Sequence, residues 1–418
     1  MRRHTTLILV LFLAIAVRAG AFAIEIDPFH APDSHSFISL AESFSDTGRL
    51  EYEDQGAPGV RLRAFRSLLY PVMLRATGSD ADGVTGALIL QALLGVVVVA
   101  TVYVVGRRTL GRETGIVAAA IGAVYWTSIY FERQVLTESI YTFLLVTGVA
   151  LAMGDSDAGR KPAAKTAVRI VLSGLVLGLA SITRPVGLAA IAAVALVWVA
   201  AYLVARLRGN AGTRSLPRVL ALLACLVAGA AIVIAPALYR NHRVLGHPVL
   251  LTSGGMNFWA GNGRGTIPQA WQIMGDKIDD YGEVGMDRWF YQDVRAHRDE
   301  LLRQAPRMAL AKVWAFFAPS TRETVYLPLR FLLPFVLLGL IRILPAAGEA
   351  AWLLIAVIGS QVLAALVFVP WPRYRAPIDP FLYLLAAAGL VFLWKWGSRG
   401  RWTIAALFGV NLLALLVR

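Results

Sequence analysis

Charge and cysteine are both scarce in this sequence. Only 16% of its 418 residues are Asp, Glu, Lys or Arg, whereas soluble domains contain about 25%, so the composition excludes an ordinary soluble enzyme. The single cysteine, Cys225, excludes an intrachain disulfide, and its position within an apolar run indicates a packing role. Hydrophobic residues make up 57% of the chain, which is typical of a protein embedded in a bilayer.

Acidic residues are fewer than basic ones, and the formal net charge is +14. In a soluble protein this excess would indicate nucleic-acid binding, but no polar segment interleaves a basic patch with aromatic residues. The Lys and Arg residues lie between apolar runs, where positive charge fixes topology and contacts anionic lipid headgroups. The sequence therefore predicts membrane lipids as partners and no nucleic acid.

Long apolar runs follow one another along the chain, and a helix needs about 20 apolar residues to cross a bilayer. The first run follows Met-Arg-Arg; because no small-residue cleavage site precedes a soluble chain, it is interpreted as the first helix or a signal anchor. We predict an all-α polytopic membrane protein with about eleven transmembrane helices. The predicted spans are 5–23, 83–105, 113–131, 135–153, 168–183, 186–204, 217–238, 326–343, 350–369, 377–396 and 401–417.

Lys and Arg are distributed unevenly over the short loops between these spans. The loops assigned to the inside are rich in both, from Arg107 and Arg108 to Arg399 and Arg401. The loops assigned to the outside contain only Arg133, Arg184, Arg373 and Arg375. Because cytoplasmic loops carry the excess of positive residues, we predict a multi-pass protein of the inner (plasma) membrane, with its N-terminus inside and its C-terminus outside.

Two long polar stretches then fall on the outer side, whereas the inner loops are too short to hold an active site. Any chemistry is therefore expected on the periplasmic or extracellular face. The outer lobe has two predicted helices, at 287–302 and 306–317. The predicted regions are an N-terminal transmembrane region (1–239) that includes the first outer loop (24–82), the outer lobe (240–325), and the C-terminal transmembrane helices (326–418).

The first outer loop contains a candidate catalytic carboxylate, Asp33. Apolar residues recur after it at helical spacing, and polar residues occupy the other side, which predicts an interfacial helix ending near Gly48. Asp33 is a candidate N-cap of this helix. That role does not exclude catalysis, because a capping aspartate can also face a cavity at the membrane surface. The apolar positions are Phe37, Leu40, Ala41 and Phe44, and the polar positions are Ser34, Ser36, Glu42 and Asp46.

Histidines flank this carboxylate, at His30 and His35. A His-Asp-His cluster is a candidate site for a divalent metal, with Asp33 and His35 as ligands, although its spacing matches no specific metal site. The sequence leaves metal dependence open and indicates no other cofactor.

A second acidic candidate, Glu138, falls at the start of a predicted span. An ionisable residue there is costly and is a functional candidate. The alternative is a carboxylate placed favourably at a helix N-terminus.

Arginines at the outer ends of spans are candidate phosphate ligands. A phosphate at the interface favours forked, permanently charged donors. Ordinary anchoring in the interface explains any single arginine equally well, particularly beside Trp371 and Tyr374. The candidates are Arg63, Arg66, Arg184, Arg373 and Arg375.

The outer lobe opens with Arg240-Asn241, followed by a glycine-rich segment from Ser253 to Asn262. Glycines let a backbone approach a ligand closely, and Asn257 and Asn262 together with Trp259 suit the hydroxyls and ring faces of a sugar. The alternative is a simple turn-rich loop.

In this order, these motifs resemble the GT-C superfamily of membrane glycosyltransferases. The most similar branch holds protein O-mannosyltransferases, aminoarabinose transferases of lipid A and their bacterial relatives. The matching motifs are Arg18, Asp33 to Gly48, Leu69-Tyr70-Pro71, Thr137-Glu138-Ser139, Thr183-Arg184-Pro185, Arg240-Asn241, Gly255-Met256-Asn257-Phe258, Gly261-Asn262 and Arg373-Tyr374-Arg375-Ala376-Pro377.

The resemblance implies an inverting transferase that moves a hexose or pentose from a polyprenyl-phosphate donor to a hydroxyl of an envelope glycan, lipid or protein. It implies that Asp33 acts on the acceptor, that Glu138 is catalytic, and that Tyr70 and the arginines bind substrate. Many protein mannosyltransferases carry an acidic pair where this chain has Asp33-Ser34. The outer lobe is also short, which argues against a protein-glycosylating oligosaccharyltransferase.

Two other classes stay open. A transporter or lipid-sugar flippase would bind at the membrane midplane and often has repeated halves, whereas charged residues here gather at helix ends and no repeat is found. A polysaccharide polymerase or ligase also carries large outer loops and arginines, but it uses diphosphate-linked glycans.

Overall fold

The computed structural model describes residues 2–53, 59–80, 83–154, 163–209, 215–317, 324–346 and 348–416. These residues are almost entirely α-helical, which confirms the predicted all-α class. The helices are α1 (Arg2–Ala21), α2 (Asp33–Thr47), α3 (Leu69–Ala76), α4 (Thr85–Thr109), α5 (Arg112–Val124), α6 (Trp126–Glu132), α7 (Glu138–Ala152), α8 (Ala163–Thr183), α9 (Gly187–Leu207), α10 (Leu216–Leu245), α11 (Gly254–Gly261), α12 (Ile267–Ala296), α13 (Arg298–Phe317), α14 (Leu327–Ile343), α15 (Glu349–Val367), α16 (Asp379–Lys395) and α17 (Ser398–Leu416).

Each segment predicted to span the membrane coincides with one of these helices or, for 113–131, with the pair α5 and α6. By length and composition, six described helices qualify as membrane spans, or seven if α5 and α6, bent by 50°, form one span. Helices α1 and α7 are apolar but shorter; at 1.5 Å per residue, α7 reaches about 23 Å, less than the hydrocarbon core of about 30 Å. The chain is a multi-pass membrane protein, but by this criterion the described residues do not reach the predicted eleven spans.

Glycines let neighbouring helices of the bundle approach closely. A Cβ added to Gly339 of α14 would lie 1.9 Å from the carbonyl oxygen of Leu385 in α16, and one added to Gly229 of α10 would lie 2.1 Å from that of Val171 in α8. Small residues at such crossings permit close backbone packing, which drives helix association in lipid.

We therefore expect Gly229→Ala to destabilise the bundle by about 1–3 kcal/mol, because α8 and α10 must separate to admit the methyl group. Thermal unfolding in detergent measures the effect. Gly359→Ala in α15 is the matched control, since its added Cβ meets nothing within 4 Å. Equal stability of the Gly229→Ala variant and the wild type would contradict the close crossing.

The segment between α1 and α4, predicted to be the first outer loop, contains the predicted helix α2 followed by a short hairpin. Helix α2 ends at Gly48, whose φ of 68° is left-handed, and strands β1 (Tyr52–Glu53) and β2 (Arg61–Leu62) pair antiparallel. The predicted exposure of Ser34 and Ser36 is wrong: both are buried, because α2 packs against α3 as well as against β1.

The outer lobe consists of α11, α12 and α13, and its core includes Met256, Met274 and Phe290. The predicted bounds of its helices are wrong. Helix α12 begins at Ile267 and is interrupted at Gly282, whose φ is 65°, whereas α13 continues through Pro306. The break between the two helices lies at residue 297, not near 303–305.

The glycine-rich segment of the lobe forms helix α11, so its interpretation as a turn-rich loop is wrong. The glycines serve helix packing. A Cβ at Gly255 would lie 2.0 Å from the carbonyl oxygen of Asp287 in α12, and one at Gly261 would lie 2.5 Å from the carbonyl carbon of Phe368. These contacts seat α11 between α12 and the end of α15.

Candidate active site

Asp33 lies in the first turn of α2 and points toward arginines from distant parts of the chain. Its Oδ1 is 2.9 Å from Nη2 of Arg66, and its Oδ2 accepts a hydrogen bond from Nη2 of Arg373. The cap position is occupied by Pro32, and no side-chain cap hydrogen bond forms. The N-cap interpretation of Asp33 is therefore wrong, because its carboxylate is committed to guanidinium groups.

Glu138 begins α7 and is almost completely buried. Its Oε1 lies 3.1 Å from Nη1 of Arg184, in the turn between α8 and α9, and 3.9 Å from Nε of Arg373. Arg373 itself lies in a 3₁₀ helix (Pro372–Ile378) before α16. Arg373 therefore lies between two carboxylates that are more than a hundred positions apart in sequence.

We call Asp33, Arg66, Glu138, Arg184 and Arg373 the arginine–carboxylate cluster. Its members come from α2, the loop before α3, the start of α7, the α8–α9 turn and the segment before α16. These segments meet at one end of the helix bundle. Three arginines against two carboxylates leave one excess positive charge, which suits an anionic ligand.

Aromatic rings orient the guanidinium groups of the cluster. The Cζ atom of Arg373 is 4.8 Å from the ring centroid of Trp371 and 5.2 Å from that of Tyr374. The Cζ atom of Arg184 is 4.5 Å from the ring centroid of Tyr374. Such stacking holds the planar forks in a defined orientation and stabilises the cations.

The electrostatic environment keeps Asp33 ionised. Burial raises the pKa of Asp33, but Arg66, Arg373 and Arg184 together lower it by more, so its pKa lies well below the usual value. The carboxylate is therefore charged at neutral pH and, while both arginines hold it, is a weak proton acceptor.

Several buried polar atoms of the cluster and of residues adjacent to it in sequence make no hydrogen bond. Among the described residues, the hydroxyls of Ser34 and Ser139 and the Oε2 atom of Glu138 are buried without a hydrogen-bond partner. Buried polar atoms of native proteins are normally satisfied, and a group of exceptions at one place is typical of a ligand site.

Tyr70 lies outside the cluster and packs between segments that carry members of the cluster. Its fully buried ring meets Phe37 of α2 edge-on at 5.0 Å, and its hydroxyl donates to Oε1 of Gln91 at 3.0 Å. The amide of Gln91 in turn donates to the carbonyl of Gln134, in the segment before α7. Tyr70 thus connects the helix of Asp33 to the segment that carries Glu138.

Arg375 lies two residues after Arg373 but faces the interior of the bundle. It is fully buried, its Nε is 3.0 Å from Oδ1 of Asp379, and its Nη1 donates to the carbonyl of Phe316. The hydroxyl of Tyr125 donates to the same Asp379 at 3.0 Å. The structure therefore does not bring Arg375 to the cluster.

The remaining candidates lie outside the cluster and make contacts with the protein itself. Arg63 is half-exposed with its Nε 3.3 Å from Glu51, and Arg240 donates to the carbonyls of residues 50 and 63. Asn257 donates to the carbonyl of residue 253, and Asn262 to those of residues 258 and 367. Their observed contacts position loops.

A buried ion pair that the sequence reasoning did not assign lies next to the cluster. Arg18 places Nη2 2.8 Å from Oε1 of Glu132 and Nε 2.8 Å from its Oε2. Both residues line a cavity of about 20 Å³ that Glu138 and Ser139 also line, a volume sufficient for a water molecule. The sequence did contain a signal for this pair. Arg18 and Glu132 each lie in an apolar segment, where burying a charged residue without a partner costs free energy.

The described residues do not gather a metal site. No group of three or more His, Cys, Asp or Glu side chains lies close enough together within them to hold an ion. Both oxygens of Asp33 face arginines, and the His35 ring stacks on Phe29 with centroids 5.5 Å apart. The donor set around Asp33 therefore does not fit a cation.

No protein-family model and no curated protein matches the chain. Among solved structures, it resembles the oligosaccharyltransferase of Archaeoglobus fulgidus in its apo form, with a TM-score of 0.58 and 14% identity, over 99% of this chain and 54% of that one. It also resembles that enzyme, AglB, in complex with an inhibitory peptide and a dolichol-phosphate, with a TM-score of 0.56, 13% identity and coverage of 99% and 53%. ArnT from Cupriavidus metallidurans matches with a TM-score of 0.39 and 15% identity, over 92% of this chain and 77% of that one.

The two matches to the archaeal oligosaccharyltransferase identify the fold. The chain shares the helical fold of that membrane enzyme, which confirms the resemblance seen in the motifs at the level of the fold. It spans about half the length of the archaeal oligosaccharyltransferase.

Proposed function

We propose that this protein is an inverting glycosyltransferase that moves a sugar from a polyprenyl-phosphate donor to an acceptor hydroxyl on the non-cytoplasmic face of the membrane. The observation that carries the proposal is the arginine–carboxylate cluster, in which three arginines from separate segments surround Asp33 and Glu138. A structural neighbour of the same fold was solved with a dolichol-phosphate, which supports a lipid phosphate as the ligand of these arginines.

The arginines bind the phosphate of the donor. A lipid phosphate that leaves the anomeric carbon gains negative charge, and fixed guanidinium donors stabilise that charge as it develops. Arg184 is already oriented by Tyr374, so it needs little reorganisation, whereas Arg373 exchanges Asp33 for the phosphate. Glu138 positions both arginines through its Oε1.

Asp33 takes the proton of the acceptor hydroxyl. The phosphate competes with Asp33 for Arg373, and as that guanidinium turns toward the phosphate, the basicity of the carboxylate rises. The acceptor oxygen then forms a bond to the anomeric carbon, the bond from that carbon to the phosphate oxygen breaks, and its electron pair stays on the phosphate. A single displacement inverts the anomeric configuration.

The location of the donor explains why this chemistry is membrane-embedded. The polyprenyl tail stays in the hydrocarbon core while the sugar-phosphate reaches the end of the bundle where the cluster lies. The Lys and Arg bias of the short loops supports an outside location for this end, in line with the resemblance, which implies a donor that is made inside and delivered outward.

Membranes containing the protein test this proposal when supplied with radiolabelled polyprenyl-monophosphate sugars and extracted envelope acceptors. We expect release of free polyprenyl phosphate together with labelled acceptor. A flippase would leave the sugar–phosphate linkage intact, and a polymerase or ligase would require a diphosphate-linked glycan. Either result, in membranes where the protein is folded, would overturn the proposal.

Arg373→Gln should lower kcat/KM for the donor about 10- to 100-fold, because one charged donor to the phosphate is lost. Initial rates at varied donor concentration measure this effect. Arg373→Lys should recover only part of it, since an ammonium lacks the fork geometry.

The matched control for this experiment is Arg75→Gln, an exposed arginine of α3, which should behave as wild type. Equal donor kinetics for the Arg373→Gln variant and the control would remove Arg373 from the phosphate site.

A further inference from the structure

The second half of α12 presents a basic and aromatic face. Counted from Arg288, the residues three, four and seven positions further along are Tyr291, Gln292 and Arg295. This spacing places all four on one side of the helix. All four are exposed, and Arg298 continues the series at the start of α13. None of these residues belongs to the arginine–carboxylate cluster.

This face borders a cavity of about 410 Å³ in the outer lobe. That size lies within the range of small-ligand pockets, about 300–1,000 Å³. Phe258 of α11 also lines the cavity, and its ring packs against that of Tyr291, with centroids 5.2 Å apart and a tilt of 35°. The cavity thus combines ring faces with three arginines.

The arginines of this cavity are spaced along α12 and the start of α13 rather than gathered at one point. Arg288 and Arg295 are seven residues apart on one helix, which corresponds to about 10 Å along its axis, whereas donors to a single phosphate must all lie within about 3 Å of its oxygens. Arg298 contacts Asp299 at 3.5 Å, but both side chains are largely exposed, so this pair holds Arg298 only weakly. The spacing suits an occupant with several separated negative charges.

The end of α15 connects the wall of the cavity to the candidate active site. The ring of Phe258 lies 6.1 Å from that of Phe368, and Phe368 precedes Arg373 by five residues. Five residues span at most about 18 Å. The cavity and the arginine–carboxylate cluster are therefore close enough for one extended oligosaccharide to lie between them.

We propose that this cavity is a second binding site, for an anionic glycan segment of the acceptor, with carboxylate or phosphate groups on the arginines and sugar rings against Phe258 and Tyr291. The proposal rests on the proposed function and specifies its acceptor class. A glycan fits better than a lipid headgroup, because the cavity lies between α11 and α12, neither of which is among the apolar spans. It fits better than an acidic peptide because flat ring faces match the faces of sugars.

Binding of tetragalacturonic acid to the purified full chain in detergent, measured calorimetrically at low salt without donor, tests this inference. We expect binding that weakens about 10-fold or more in the Arg288→Ala/Arg295→Ala variant, since two charged contacts are lost. It should also weaken with added salt. Maltotetraose, which has the same number of rings and no charge, should bind much more weakly.

The control variant Arg303→Ala/Arg307→Ala removes the same charge from α13 outside the cavity, and its affinity should stay within about 2-fold of wild type. The inference is overturned if tetragalacturonic acid does not bind, if maltotetraose binds equally, or if both double variants lose affinity alike. It is also overturned if tetraglutamate or short-chain phosphatidylglycerol binds at this site more tightly than the glycan.

Failure of this inference is distinguishable from failure of the proposed function. Asp33→Asn should leave tetragalacturonic acid binding unchanged, whereas the Arg288→Ala/Arg295→Ala variant should retain the donor KM and raise only the acceptor KM. Arginine-dependent binding without sugar transfer would support the site and reject the transferase. Sugar transfer with an unchanged acceptor KM in the Arg288→Ala/Arg295→Ala variant would support the transferase and reject the second site.

Discussion

Replacing Asp33 by Asn should lower sugar transfer about 10²–10⁴-fold, the usual contribution of a general base. Asparagine has the same shape and keeps one oxygen for the arginines, but it cannot take the proton of the acceptor hydroxyl. The initial rate of polyprenyl-phosphate release measures the loss. Unchanged thermal unfolding in detergent shows that the variant is folded.

Asp46→Asn is the matched control for this variant. It makes the same substitution on the exposed part of the same helix, and we expect wild-type transfer from it. Full activity in the Asp33→Asn variant would remove Asp33 as the base and leave the cluster with a binding role alone.

The pH dependence of the reaction should report the exchange of partners at Asp33. In the free protein the pKa of this carboxyl is held well below its usual value, so it is ionised above that pKa and kcat/KM should lose activity only in strong acid. When the donor phosphate takes Arg373, the pKa rises toward its usual value. The acid limb of kcat should therefore lie at higher pH than the acid limb of kcat/KM. Coincident limbs would contradict the exchange.

Replacing Arg18 by Met should cause the largest loss of stability, about 3–5 kcal/mol. The variant leaves the carboxyl group of Glu132 buried without its partner, since both side chains are no more than 5% exposed in the pair. That group must then either stay charged or take up a proton, and both cost free energy. The crowded surroundings limit any rearrangement, because even a Cβ at Gly95 would lie 2.0 Å from Oε1 of Glu132. Thermal unfolding in detergent measures the effect.

The double variant Arg18→Met/Glu132→Gln distinguishes two contributions to the lost stability: the free energy of burying an unpaired carboxyl group, and the loss of the ion pair itself. Removing both charges should restore most of the lost stability, since a buried pair is close to neutral overall compared with uncharged residues of similar volume. If the double variant is as unstable as the single one, lost packing, not the unpaired carboxyl group, explains the defect.

The comparison with the archaeal oligosaccharyltransferase limits one sequence argument. The short outer lobe argued against an oligosaccharyltransferase, yet a structure of that enzyme has the same fold, with a TM-score of 0.58. The match covers only 54% of that enzyme. The shared part is therefore the helical fold, so the short lobe does not argue against this fold.

Hydropathy located the helices because bilayer physics leaves little choice. A backbone in hydrocarbon must satisfy its own hydrogen bonds, so each long apolar run became a helix. The local signals around α2 were also sufficient: apolar residues at helical spacing began the helix after Pro32, and Gly48 ended it in the left-handed conformation. These features depend on neighbours within a few residues.

Side-chain direction and partner choice were not available from the sequence. Arg373 and Arg375 are equivalent as sequence, yet the 3₁₀ helix that carries them turns the first toward Asp33 and the second toward Asp379. The glycines of α11 likewise suited either a turn or a helix until α12 packed against them.

The sequence by itself determined that this is an all-helical membrane protein with charged residues at its helix ends, because those properties follow from composition and local spacing. Only the tertiary structure decided which charges meet. Asp33, Glu138 and three arginines converge because α2, α7, the α8–α9 turn and the segment before α16 pack at one end of the bundle, and contacts across hundreds of residues depend on that packing alone.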